Sequence, residues 1–153
     1  MCQSWDPMDV KPGAPLITAT SKGLYCEAGG FYIDPHRGVE RAIVTHAHSD
    51  HARRGCGQYF CATPSLGLLK HRLGQQIQVR ALDYGQRVTI GKTTVSLHSA
   101  GHILGSAQVR IEHGGEVWVV SGDYKRDNDP TCAPFEVVPC DTFVTEATFG
   151  MPI

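Results

Sequence analysis

Seven consecutive residues, Thr45-His46-Ala47-His48-Ser49-Asp50-His51, place three imidazoles and a carboxylate directly behind the β-branched run that ends at Val44. Each of these side chains prefers water or a polar partner, so grouping them at a strand end carries a cost. Ligation offsets it, because neutral imidazole nitrogen and carboxylate oxygen are donors that zinc and similar divalent ions accept. The alternate spacing lets His46 and His48 converge on one ion, while Asp50 and His51 can reach a second. A solvated, His-rich surface loop is the competing reading. It suits a lone histidine better than H-x-H-x-D-H behind an apolar strand.

Two other segments offer ligands of the same kind. His102 lies in Ser99-Ala-Gly-His-Ile-Leu-Gly105, between two strands, where glycines allow close backbone approach. Asp123 lies in Ser121-Gly-Asp-Tyr124, directly after the apolar run 117–120. Alone, either could merely cap a turn. With the first string they can close a metal cluster on one sheet edge. Arg53 and Arg54 follow His51, and Lys125 and Arg126 follow Asp123. If the ligands converge, these four cations border the same cleft and suit a phosphodiester, the alternative being ordinary solvated loop charges.

The elements that must position these residues are short. Phe31–Ile33 and Arg41–Val44 read as strands. Residues 63–74 read as a helix, with Thr63 as cap, Pro64 at the first helical position, Leu66, Leu69 and Leu73 on one face, and Gly74 as stop. Strands follow over 77–82, 87–90 and 93–98, the last two joined by a Gly91-Lys92 hairpin turn. Residues 106–112 alternate, 113–115 turn, and Glu116–Val120 returns as a strand expected to be buried on both faces. An irregular stretch with three prolines over 128–139 precedes a last strand over 142–145. Strands outnumber helices, which predicts an α+β fold with a mainly antiparallel or mixed sheet.

At 153 residues one domain is expected. The net charge of −1 excludes a binder that works through a basic tail, and no apolar run approaches the ~18 residues of a spanning helix. No membrane association is expected. With no export signal and no C-x-x-C pair, the 6 Cys are read as reduced, mostly buried thiols of a cytoplasmic protein.

The order His46-x-His48-x-Asp50-His51, Gly101-His102 and Gly122-Asp123 resembles the metallo-β-lactamase superfamily. Ala100-Gly-His-Ile-Leu-Gly-Ser106, Ser121-Gly-Asp-Tyr124 and Thr145-Glu-Ala-Thr-Phe-Gly150 are similar to the β-CASP nucleases within it. Gly23-Leu-Tyr-Cys26, Tyr32-Ile-Asp-Pro35 and Val119–Arg126 resemble the bacterial ligase-associated DNA exonucleases of that branch.

The resemblance implies an αβ/βα sandwich, here its N-terminal half: residues 1–15 as a lead-in, and 16–153 as the first part of a metallo-β-lactamase domain, ending where the β-CASP insert starts. The missing C-terminal half would supply the last ligand of the second metal. The resemblance also implies two divalent metals, zinc first and manganese or iron as alternatives. His46, His48 and His102 would hold one, Asp50 and His51 the other, and Asp123 would bridge them. Asp34 would support the ligand loop, and Glu146 would orient a catalytic histidine. Ala147 stands where the family usually has Ser.

The implied activity is metal-dependent hydrolysis of DNA by an exonuclease linked to repair, with DNA ligase and helicase as partners. The alternatives are an RNA-processing nuclease of the same branch, a small-ester or thioester hydrolase, or an inactive metal-binding fragment.

Overall fold

A computed structural model of the protein describes residues 13–147. In it the chain forms strands β1 (Thr18–Thr20), β2 (Gly23–Cys26), β3 (Phe31–Ile33), β4 (Arg41–Ile43) and β5 (Gln58–Ala62). Helix α1 (Leu66–Leu73) and β6 (Val79–Leu82) come next. The second half holds β7 (Val88–Ile90), β8 (Thr93–Ser99), β9 (Ala107–His113), β10 (Glu116–Val120) and β11 (Thr142–Val144). The lead-in read for residues 1–15 lies mostly outside the described residues, as do Cys2 and positions 148–150 of the Thr-Glu-Ala-Thr-Phe-Gly string.

Two sheets face each other. The first runs β1 to β6 in chain order, antiparallel from β1 to β3 and parallel from β3 to β6. The second is ordered β11-β10-β9-β8-β7 and is antiparallel except for the parallel β10–β11 pair. Parallel neighbours need crossover connections. Between β4 and β5 that connection carries the His-rich string, and between β5 and β6 it carries α1.

The core lies between the sheets. Phe31, Ile33, Ile43, Phe60 and Leu82 from the first meet Val95, Leu97, Val109 and Ile111 from the second. On the outer face of the first sheet Leu69 and Leu73 of α1 cover Ala42, Val44, Tyr59 and Cys61. The architecture is an α+β sandwich. Strand β5 is therefore buried on both sides, Phe60 and Ala62 facing the other sheet and Tyr59 and Cys61 facing α1. That double burial erases the alternation by which a half-exposed strand is recognised.

Several expectations need correction. Strands β1, β2 and β5 were not foreseen. Thr63 does not cap a helix: a 3-10 turn over Thr63–Ser65 leads into α1, and the Thr63 hydroxyl donates to Asp83 Oδ1 at 2.6 Å. Strand β10 is buried on both faces only at its end, at the consecutive Val119 and Val120; Val117 and Trp118 are half-buried and Glu116 is exposed. The turn before it is two residues, Gly114-Gly115, both at positive φ as a type I′ hairpin demands. Of the five described cysteines Cys26 and Cys61 are buried, Cys56, Cys132 and Cys140 are half-buried, and none is in a disulfide. Among the described residues no helix is long and apolar enough to cross a membrane.

Candidate metal centre

The sheets meet at Thr45, two residues past the end of β4. Its N–H donates to Asp34 Oδ1 at 2.8 Å and its hydroxyl to Asp34 Oδ2 at 2.6 Å. Its carbonyl accepts the Ala107 N–H at 2.8 Å, so the start of β9 is tied to the His-rich loop. Asp34 sits at the end of β3 with φ +44°, the one non-glycine in left-handed conformation among the described residues. Asp tolerates that region better than most side chains. Gly122, at φ +56°, brings the third ligand loop against Thr45, where a Cβ would lie 2.7 Å from the Thr45 Cβ and Oγ1. No larger residue fits there without moving one loop.

These contacts also set the imidazole protons. The Thr45 hydroxyl proton goes to Asp34, so Thr45 Oγ1 accepts from His46 Nδ1 at 3.1 Å. His51 Nδ1 donates to Asp34 Oδ2 at 2.7 Å. Both rings are left with an Nε2 lone pair aimed away from Asp34. An outer carboxylate or hydroxyl on the far nitrogen is the usual way a ligating histidine is oriented.

The free atoms converge in two groups. His46 Nε2 lies 2.9 Å from His48 Nδ1, which lies 3.4 Å from His102 Nε2. Asp123 Oδ2 is 3.7 Å from both His46 Nε2 and His102 Nε2. One atom each from His46, His48, His102 and Asp123 lies within 4.8 Å of the others, an arrangement that could hold a metal ion. The donors fit such an ion: three imidazole nitrogens and one carboxylate oxygen, the lone pairs a divalent transition ion takes. The other Asp123 oxygen, Oδ1, is 3.4 Å from His51 Nε2, which is also 3.4 Å from Asp50 Oδ2.

The His102 loop is held from behind. Ser106 Oγ accepts the N–H groups of His102 (3.0 Å) and Ile103 (3.2 Å), and the Ser106 carbonyl accepts the Tyr84 hydroxyl at 2.8 Å. Gly105 packs so closely on Ser65 that a Cβ would meet its N at 2.2 Å.

Electrostatics separates the two groups. Burial, joined by the neighbouring charges of His51, His48 and His102, pushes His46 down to about 3, so its ring is neutral and ready to ligate. For His51 burial works downward, but the hydrogen bond and charge of Asp34 with the charges of Asp123 and Asp50 leave it raised. Burial works upward on Asp50, yet its backbone hydrogen bond and the charges of His51, His46 and His48 hold its carboxyl low.

The remaining candidates divide. Glu146 is half-buried and lines a cavity of about 320 Å³ together with Asp34, His51 and Asp123. Arg53, Arg54, Lys125 and Arg126 are exposed, and none of them lines that cavity. Arg54 Nη2 donates to the Arg72 carbonyl at 3.0 Å, and Lys125 pairs with Asp129 at 3.7 Å. The linking role of Thr45 was missed although it opens the string. So was a second cavity of about 390 Å³ beside His48, lined also by Leu68, His71 and Arg72. The spacing of those three on α1 was its only sequence signal.

No protein-family model matches the chain. Over 140 residues, 90% of its length, the chain is 34% identical to a protein of Opitutus terrae named "Probable DNA ligase". Over 144 residues, covering 76% of the chain, it is 27% identical to an RNase J-like protein of Methanocaldococcus jannaschii. A 77-residue match, 48% of the chain, is 36% identical to Endoribonuclease YSH1 of Gibberella zeae. The chain spans 14%, 33% and 9% of these relatives' own lengths. Among solved structures, Zn(2+)-bound PqqB from Methylobacterium extorquens matches 59% of the chain and 40% of its own at TM-score 0.45 and 10% identity.

Proposed function

We propose that the chain belongs to the metallo-β-lactamase superfamily, in its β-CASP nuclease branch, and that it carries the metal centre of a nuclease hydrolysing DNA phosphodiesters. One observation carries the reading: the Asp123 carboxylate is divided, Oδ2 toward His46 and His102, Oδ1 toward His51. In this reading His46, His48 and His102 would hold one divalent ion, Asp50 and His51 would hold a second, and Asp123 would serve both. Zinc is the first candidate for this donor set, with manganese and iron as alternatives. When bound, such ions supply Lewis acidity, which polarises phosphoryl oxygens and makes water nucleophilic near neutral pH.

The chain's own residues do the rest. Asp34 and Thr45 keep the His51 and His46 protons on Nδ1, which fixes ring direction and presents neutral nitrogen. The His46 ring is fully buried, so charge interactions on its side of the group are less screened by water. Asp50, 71% exposed, faces the open side from which a strand end would enter. Arg53 and Arg126 lie exposed near the loops that carry Asp50 and Asp123, where they would meet flanking phosphates. Glu146 is the acidic partner for a group that protonates the leaving oxygen as the P–O bond breaks.

DNA is preferred over RNA because the relative matched along 90% of the chain is the one named for DNA ligation. That relative's name also supports a place beside a DNA ligase; exonucleolytic action, a helicase partner and a cytoplasmic location complete the proposal from the sequence resemblance alone. The test is digestion of end-labelled DNA and sequence-matched RNA by the purified protein and its His46→Ala/His48→Ala variant. Stepwise shortening of DNA, lost in the variant, is expected. Cleavage of RNA alone would overturn the substrate, and activity surviving the double substitution would overturn the metal centre.

A further inference from the structure

Helix α1 shows two faces. Leu69 and Leu73 are buried in the core. Leu68, His71 and Arg72, at i, i+3 and i+4, form the adjoining face and line the 390 Å³ cavity whose other walls are Ala47, His48 and Ile103. That volume lies within the roughly 300–1,000 Å³ of small-ligand sites. A singly exposed leucine needs no explanation. Here, however, Leu68, 41% exposed, shares the cavity lining with the half-buried Ile103 and with Ala47, so part of the lining is apolar.

Besides His48, the polar part of the lining is His71 and the Arg72 guanidinium. Neither His71 nor Arg72 makes a side-chain hydrogen bond or ion pair among the described residues. Arg54 is anchored to the Arg72 carbonyl, which brings a second guanidinium to the same end of the helix. No carboxylate lines the cavity. One wall is His48, whose Nδ1 points into the candidate metal group. Apolar lining residues, an unpaired guanidinium, an imidazole able to hydrogen-bond and a wall shared with the candidate metal centre suit an anionic phosphodiester whose base offers a flat face to pack on.

We propose that this cavity is a nucleotide subsite, in which Leu68 and Ile103 pack against the base and sugar of the unit next to the scissile phosphate while Arg72 and His71 hold its flanking phosphate. The inference rests on the nuclease reading and adds where the strand lies: along α1, on the His48 side of the metals.

The experiment measures binding apart from cleavage. Fluorescein-labelled oligothymidylate is titrated into the purified protein in chelator, which stops turnover, and anisotropy gives Kd at several salt concentrations. Leu68→Ala and Arg72→Ala are each expected to weaken binding about fivefold or more. Arg72→Ala also lowers the salt slope by about 0.7, the value for one phosphate contact on a single strand. Arg80→Ala and Val137→Ala, exposed substitutions outside the cavity, should leave Kd unchanged. Wild-type Kd values in the Leu68 and Arg72 variants, or equal weakening by Arg80→Ala, overturn the subsite, as does a parent protein that binds no oligonucleotide. Digestion of labelled DNA with metal added decides the nuclease reading on its own, so the two can fail separately.

Discussion

The two groups of the candidate metal centre are built from the same residue types but to different standards. Around His46 everything is closed: the ring is fully buried, its far nitrogen is fixed by Thr45, and three further ligand atoms lie within 4.8 Å of one another and of it. Around His51 the ring is held as firmly, by Asp34 at 2.7 Å, but its neighbour Asp50 is 71% exposed and only Asp123 Oδ1 joins them. The first half is preorganised by three loops from both sheets. The second is one fixed imidazole with room for further ligands. In the proposed two-metal reading, the difference would divide affinity from access, the tighter group holding an ion and the more exposed one admitting substrate.

Asp123 is the residue both halves share, so its loss should have the largest effect. With Asp123→Ala, metal content measured by mass spectrometry is expected to fall toward zero in both halves. Nuclease rate should fall by more than the roughly 10–100-fold that loss of an outer-shell partner costs. If the variant keeps half its metal, the halves do not share Asp123 and the comparison breaks there.

Asp34 comes next, because its one carboxylate orients His51 directly and His46 through Thr45. Asn is the suitable replacement, since it tolerates the φ of +44° while losing the charge and one acceptor. Asp34→Asn should weaken metal binding about 10–100-fold, more in the His51 half where the contact is direct. Two smaller changes separate the halves. Thr45→Val removes the acceptor of His46 Nδ1 together with the hydroxyl's bond to Asp34 Oδ2, while the Thr45 N–H bond to Asp34 Oδ1 and the His51 contact stay; Asp50→Ala removes the exposed carboxylate of the second half. Each should cost about tenfold in metal affinity, at the low end of that range and in its own half alone. Stepwise metal titration by calorimetry reads this as one altered step in each variant. Both steps moving together in either variant would merge the halves into one site.

Much of this was legible because the chemistry is local. His46, His48, Asp50 and His51 sit in one loop behind one strand, and a ligand string of that density has few other uses. His102 and Asp123 were legible by their places after strands, while their convergence needed the facing of two sheets. What the sequence concealed is what only packing creates. Strand β5 lost its alternation to double burial. Thr45 looked like an ordinary residue opening the motif until Asp34 and Gly122 were brought against it. The four cations looked like one cleft border, yet Arg54 and Lys125 are engaged with Arg72 and Asp129. Charge spacing cannot show which way a long side chain turns.

The smallest effect is also the most direct reading of the difference, because the two half-sites should titrate in opposite directions. His46 is lowered from 6.5 to about 3, chiefly by burial. In metal-free protein its ring therefore stays neutral where the unfolded chain takes up a proton, and its contribution lowers stability as pH falls below about 6.5. His51 is raised above 6.5, since Asp34, Asp123 and Asp50 outweigh burial. Its contribution is complete below about 6.5 and is lost as pH rises through the raised value. Histidine ring resonances followed from pH 8 to pH 4 should show His51 titrating above 6.5 and His46 not titrating. Metal binding near pH 6.5 should then release a proton from the His51 half and none from the His46 ring, a difference calorimetry in buffers of unlike ionisation enthalpy resolves. A His46 midpoint near 6.5 would mean that its burial does not control it, and the closed half would be no more prepared for metal than the open one.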